Sequence, residues 1–296
     1  MLSLPETILS LPPQVTRFAP SPTGRLHLGH AYSAYFVLSC ARATGGSYLL
    51  RLEDTDHTRC RAPFYDAIRD DLAFLGLSSD RETPAQSTRM GAYQAALSQL
   101  QDSGLLYPCF CTRKDIARSV TAPHGPDGSF YPGTCRHLSD DERQARMAAQ
   151  PYALRLDTKK AAARAGPLAF QELMHKPGSH TVDYNAIDDV VLARKDIGTS
   201  YNLAVVVDDA ADGVTLVTRG QDIFAATGLH RLLQALLDLP APRYAHHPLV
   251  VDDQGRRLAK RADDVALGTL RDAGWNAAQI MAEALGRLLQ DGAKSP

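Results

Sequence analysis

No apolar stretch of the chain approaches the ~20 residues needed to cross a bilayer, so no membrane-spanning helix and no membrane partner is expected. The first residues, MLSLPETILSLPPQ, are mildly apolar. They lack a basic lead-in and carry Glu6, Pro5, Pro12 and Pro13, which makes a poor secretory signal. A cytoplasmic protein is expected. Cysteine is scarce and odd in number, with five in 296 residues. That argues against a disulfide framework and suits a reducing compartment with a metal site. An excess of either charge is also missing: 32 Lys and Arg against 33 Asp and Glu leave a formal net charge of −1. Nothing in the bulk charge draws the chain to nucleic acid. Any RNA contact must come from local patches, such as Arg256-Arg257 with Lys260-Arg261. Internal repeats are absent, as are low-complexity tracts beyond short alanine clusters.

What remains is an ordinary globular composition, 44% hydrophobic and 22% charged, at a length suited to about two domains. Hydrophobic periodicity predicts a strand at residues 15–19, a helix at 31–43 and a strand at 48–52. Helices follow at 64–75, ending at Gly76, and at 94–101, closing near Gly104. From Pro108 the character changes. Cysteines, glycines and prolines fill about thirty residues, followed by the polar, alanine-rich stretch 140–149, and the region reads as an insertion. The α/β pattern resumes with an apolar strand at 201–207 ending in Asp208-Asp209. Another strand at 214–218 is capped by Arg219-Gly220, and an amphipathic helix at 229–239 stops before Pro240. Alternating strands and helices imply a doubly wound parallel sheet, with ligands at the carboxyl ends of its strands.

The most informative stretch is RFAPSPTGRLHLGH, Arg17 to His30. A short strand runs into Pro20, Pro22 and Gly24, and His27-Leu28-Gly29-His30 opens the next helix. Such a turn aims backbone N–H groups and a positive helix end at an anion. Two histidines add donors beside it, and Gly29 lets a flat ring come close to the backbone. The chemistry fits a nucleotide phosphate. The tetrad resembles the HIGH signature of class I aminoacyl-tRNA synthetases, and the RFAPSPTG before it resembles their glutamate branch. The glutamine branch typically has Pro-Glu where this chain has Pro20-Ser21.

The resemblance implies a class I Rossmann-like core that uses ATP with Mg²⁺ and L-glutamate. His27 and His30 would face the ATP phosphates, with the purine stacked near Gly29. Lys260, in Arg257-Leu258-Ala259-Lys260-Arg261, stands where the KMSKS loop of the family has its lysine, although Ala259 replaces a serine. His27, His30 and Lys260 would carry the chemistry. Glutamate wants arginine for its side-chain carboxylate and an acid for its ammonium. Arg17, Ala19, Ser21, Glu53, Tyr201 and Arg219 are the pocket implied.

Cys109-x-Cys111 and Cys135 form a cluster of three thiols, one short of a closed zinc site. His124 and His137 are the chemically obvious fourth ligands. The resemblance points instead to Tyr131, because a Cys-x-Cys…Tyr-x-x-x-Cys pattern marks one glutamyl-type subgroup. One structural Zn²⁺ per chain is expected. Cys40 and Cys60 read as structural.

The expected organisation is a first core half at 14–107 and an inserted acceptor and zinc region at 108–194. The second core half, with the basic loop, covers 195–262, and a short helical segment covers 263–296. So short an end leaves no room for an anticodon-binding domain. That pattern is similar to the glutamyl-Q tRNA(Asp) synthetases, truncated paralogues that activate glutamate without tRNA. They attach it to the queuosine base at the wobble position of tRNA(Asp). The implied enzyme is a monomeric ligase whose partner is tRNA(Asp) carrying queuosine. Two other readings remain open: a short glutamyl-tRNA synthetase charging a tRNA 3′ end, and a non-catalytic tRNA-binding module.

Overall fold

The computed structural model describes residues 2–112, 114–115, 131–252 and 266–288. Among them the strands are, in chain order, β1 (Val15–Phe18), β2 (Ser47–Leu50), β3 (Arg81–Glu82), β4 (Leu106–Cys109) and β5 (Ala153–Leu156). They continue with β6 (Ala169–Glu172), β7 (Gly178–Thr181), β8 (Val191–Ala193), β9 (Leu216–Gly220) and β10 (Arg243–His247). β1, β2 and β3 form one parallel sheet. β9, β10 and β6 form a second parallel set, with β7 antiparallel on the β6 edge. β4, β5 and β8 make a separate antiparallel sheet.

The two parallel sheets abut along β1 and β9. The Thr215 N–H donates to the Val15 carbonyl at 3.0 Å, and Thr215 Oγ1 accepts the Val15 N–H at 2.9 Å. From β1 the chain winds outward to β2, and from β9 it winds the other way to β10. Strand order therefore reverses between β1 and β9, which opens a crevice at their carboxyl ends.

The helix Leu28–Ala43 buries Ala31, Ala34 and Val37 in the core beside β1 and β2. Ile280, fully buried in the helix Ala277–Gly286, joins the same core. Its burial is worth roughly 1.5–3 kcal/mol. A backbone bond of 2.8 Å from Leu267 N–H to the Leu26 carbonyl ties the C-terminal helices to the turn before His27.

One expected element differs in type. Residues 201–207, read as a strand, belong to the helix Tyr201–Ala211. Three consecutive valines favour a strand locally. The helix wins because it places Asp212 one turn beyond Asp208 and Asp209, where Arg51 and Arg89 meet all three. Ser200 caps it, accepting from the Leu203 N–H.

Candidate active site

β1 ends at Phe18, and the chain passes through the proline-rich turn into the helix Leu28–Ala43, whose cap is His27. His27 Nδ1 accepts the Gly29 N–H at 3.1 Å, and His30 Nδ1 accepts the His27 N–H at 3.3 Å. The two histidines thus build a capping box that serine or threonine and glutamate usually supply. For this reason the helix starts three residues before the predicted position 31. With both Nδ1 lone pairs taken, each neutral ring carries its proton on Nε2. A Cβ on Gly29 would lie 3.0 Å from His27 Cε1, so glycine makes room for the folded-back ring.

Arg17 is 4% exposed and donates Nε to Asp209 Oδ1 at 2.8 Å and Nη2 to Oδ2 at 3.2 Å. Its Nη1 donates to the Thr218 carbonyl. Behind it lies Arg51, fully buried, paired with Asp209 at 2.8 Å, Asp212 at 3.1 Å and Glu53 at 3.3 Å. Burial pushes Glu53 above the usual carboxylate range, although Arg51 and Arg17 oppose it. Burial acts the same way on Asp209. There the guanidiniums of Arg17 and Arg51 outweigh it and hold the carboxyl below its ordinary value.

Arg219, on β9, has different company. Nε donates to His246 Nε2 at 3.0 Å, Nη1 to His230 Nδ1 at 2.9 Å and Nη2 to Thr227 Oγ1 at 2.9 Å. All three acceptors are neutral, because burial first and Arg219 second hold His230 well below the usual imidazole range. His246 is lowered too, chiefly by burial. Tyr201, 41% exposed, has its ring 6.0 Å from that of His230.

A crevice of about 550 Å³ brings these groups together. Its lining contains Arg17, Ala19, Ser21, His27, Gly29, His30, Glu53, Tyr201 and Arg219, every described residue singled out in the sequence for glutamate or ATP. The size is that of a small-molecule site. Lys260 and its basic neighbours lie outside the described residues. Sequence reasoning missed Ser33, Thr199, Asp222 and His247, which also line the crevice, and Cys60, read as structural, forms part of its wall. His247 donates Nδ1–H to the Pro248 carbonyl at 2.8 Å and accepts from Ser33 Oγ at 3.1 Å. Burial lowers its pKa to about 4. No spacing signal connects these residues, since they come from separate elements.

Three of the five cysteines gather elsewhere, away from the crevice. The sulfurs of Cys109, Cys111 and Cys135 lie within 4.8 Å of one another. The Tyr131 hydroxyl is 3.5 Å from Cys109 Sγ and 3.8 Å from Cys111 Sγ, and Cys111 and Cys135 are 3.6 Å apart. A tetrahedral ion ~2.3 Å from each sulfur would hold the sulfurs about 3.8 Å apart, so the four donor atoms fit zinc. Arg155 sits over the Tyr131 ring at 3.8 Å, and the Tyr131 N–H donates to Asp188, fixing the ring in place. Among the described residues His137 is exposed and outside the cluster. His124 is not among the described residues.

The model for the catalytic domain of class I tRNA synthetases (E and Q) matches residues 14–291. A glutamyl-Q tRNA(Asp) synthetase of Rhodobacter capsulatus is 47% identical over 278 residues, covering 90% of this chain and 98% of its own. One from Nocardia farcinica is 45% identical over 90% of this chain and 82% of its own. Among solved structures, the glutamate-tRNA synthetase of Elizabethkingia anophelis superposes with a TM-score of 0.69 at 26% identity. The match covers 84% of this chain and 52% of that one, so the chain spans about half the length of that structure.

Proposed function

The chain belongs to the class I tRNA synthetases of the E and Q group, alongside glutamyl-Q tRNA(Asp) synthetases, and we propose that it activates L-glutamate with ATP and passes it to the queuosine base of tRNA(Asp). The α-carboxylate of glutamate attacks the α-phosphate of Mg²⁺-bound ATP, and the bond to pyrophosphate breaks. Glutamyl-adenylate then yields its acyl group to queuosine as an ester, releasing AMP. The convergence of the glutamate and ATP residues in one crevice at the β1–β9 reversal carries this reading.

Each part of the crevice has a task. Arg219, which among the described residues contacts no carboxylate, takes the side-chain carboxylate, with Arg17 beside it. Glu53 and Tyr201 accept the ammonium group, and the backbone at Ala19 and Ser21 lines its approach. Keeping those charges engaged leaves the α-carboxylate available to react. The Nε2–H groups of His27 and His30 stabilise charge that grows on the phosphates. Lys260 would add a cation from the basic loop. The protein contributes position and electrostatics and forms no covalent bond.

Cys109, Cys111, Cys135 and the Tyr131 oxygen would hold one Zn²⁺. A closed four-ligand site of this kind is structural, and it would brace the region through which the acceptor RNA docks.

ATP–pyrophosphate exchange without tRNA tests the reading. Exchange that depends on L-glutamate, with glutamine a poor substitute, is expected. Its absence would leave a tRNA-binding module, and a strict requirement for tRNA would favour a short glutamyl-tRNA synthetase.

A further inference from the structure

Arg17 and Arg219 enter the same crevice in opposite electrostatic states. Arg17 gives two nitrogens to the carboxylate of Asp209. Arg219 gives its three nitrogens to two imidazoles and a hydroxyl. The carboxylate associated with Arg219 stands one step back. Glu172 Oε2 accepts His246 Nδ1–H at 2.6 Å, and both side chains are fully buried. Glu172 Oε1 accepts the backbone N–H groups of Met174, His175 and His246, each at 3.0 Å. Burial would raise its pKa, but the bonds from His246 and these backbone groups hold it below the usual carboxylate range.

The consequence is a fixed tautomer. A carboxylate facing Nδ1 demands the proton there, so His246 Nε2 is a lone pair. That lone pair takes the Arg219 Nε–H. We infer that Glu172, acting through His246, is a positioning residue for Arg219 and so sets the preference of the crevice for a carboxylate side chain over a carboxamide. This rests on the reading of Arg219 as the anchor for the substrate side chain. The selectivity follows from the hydrogen-bond balance. The lone pairs of His246 Nε2, His230 Nδ1 and Thr227 Oγ1 that face the guanidinium already accept from Arg219, while no carboxylate among the described residues contacts it directly. An incoming carboxylate meets donors and a cation. A carboxamide brings its NH₂ donors to a place where the acceptors are taken.

Neither strand alone reveals the relay. Glu172 lies on β6, His246 on β10 and Arg219 on β9, and only the order β6-β10-β9 brings them into line.

Glu172→Gln tests it. The glutamine oxygen keeps the three backbone donors, so its NH₂ faces His246 Nδ1 and drives the imidazole proton to Nε2. Donor then meets donor at Arg219 Nε. In ATP–pyrophosphate exchange the glutamate KM should rise roughly tenfold or more, the scale of a lost charge-assisted hydrogen bond. The ATP KM should stay within about twofold, and the preference for glutamate over glutamine should shrink. A glutamate KM that is unchanged or lower would overturn the inference. A lower value is what loss of a remote negative charge alone would give. Equal rises in both KM values would also overturn it. ¹⁵N NMR of His246 in the wild-type protein gives a reading that needs no variant: a proton on Nδ1 supports the relay, and one on Nε2 refutes it. If the wild-type protein shows no glutamate-dependent exchange, the functional reading fails and this inference with it. Wild-type exchange beside an unaffected Glu172→Gln refutes this inference alone.

Discussion

Arg17 and Asp209 form a two-pronged pair, Nε to Oδ1 at 2.8 Å and Nη2 to Oδ2 at 3.2 Å, and Arg51 reaches the same Oδ1 at 2.8 Å. One carboxylate therefore fixes an arginine of the crevice and an arginine of the core. Asp209→Ala would leave both guanidiniums short of a partner in a buried setting. A stability loss on the order of 3–5 kcal/mol is expected, together with a raised glutamate KM. Urea unfolding measures the first, and a loss below about 1 kcal/mol would mean that Asp212 and Glu53 compensate fully.

The histidine capping box gives His30 two separable jobs. His30→Ala should cost about 1 kcal/mol of stability through the lost cap. It should also lower kcat for adenylate formation by roughly a hundredfold, as loss of a donor to transition-state charge does. His30→Glu keeps an acceptor for the His27 N–H and should recover the stability without the turnover. Recovery of both would reduce His30 to a helix cap. Lys260→Ala should lower kcat in the same way while leaving glutamate binding near its wild-type value.

Much of the crevice is legible in the sequence because its signals are local. Arg17, His27 and His30 come from one strand–turn–helix stretch, and outside the crevice the spacing marks the three thiols Cys109, Cys111 and Cys135 while only the family resemblance singled out Tyr131. The same locality explains the misread helix at Tyr201–Ala211. Its valines look like a strand, and the reason for helix lies in Arg51 and Arg89, more than a hundred residues away. Glu172, His246 and Ser33 escape a linear reading for a related reason. Each is an ordinary polar residue until sheet order sets it beside a partner from another element.

The cysteine cluster predicts composition directly. Elemental analysis should find about one zinc per chain, lost in Cys135→Ser and weakened in Tyr131→Phe. His137→Ala should change nothing, given its place outside the cluster. Adenylate formation should survive Cys135→Ser better than transfer to RNA does. Full zinc retention in that variant would refute the ligand set.

Acid should weaken the fold through buried imidazoles. Burial holds His247 at about 4, against about 6.5 when unfolded, and His230 and His246 are lowered as well. Between those values the unfolded chain binds more protons, so stability is full above pH 6.5 and falls as the pH drops toward 4. His247 alone should account for on the order of 3 kcal/mol across that window. Thermal unfolding against pH should show the decline, and His247→Gln should flatten it. A Tm that holds or rises from pH 6.5 to 4.5 would contradict the sign.

The most direct measurement is the fate of labelled glutamate on purified tRNA(Asp), with and without queuosine, after the 3′ terminal adenosine has been trimmed away. Glutamate should load onto the queuosine-bearing tRNA despite the missing end, and loading should vanish when the base is unmodified. Loading that disappears on trimming, or that appears on the 3′ end of tRNA(Glu), would contradict the account and make the chain a short glutamyl-tRNA synthetase.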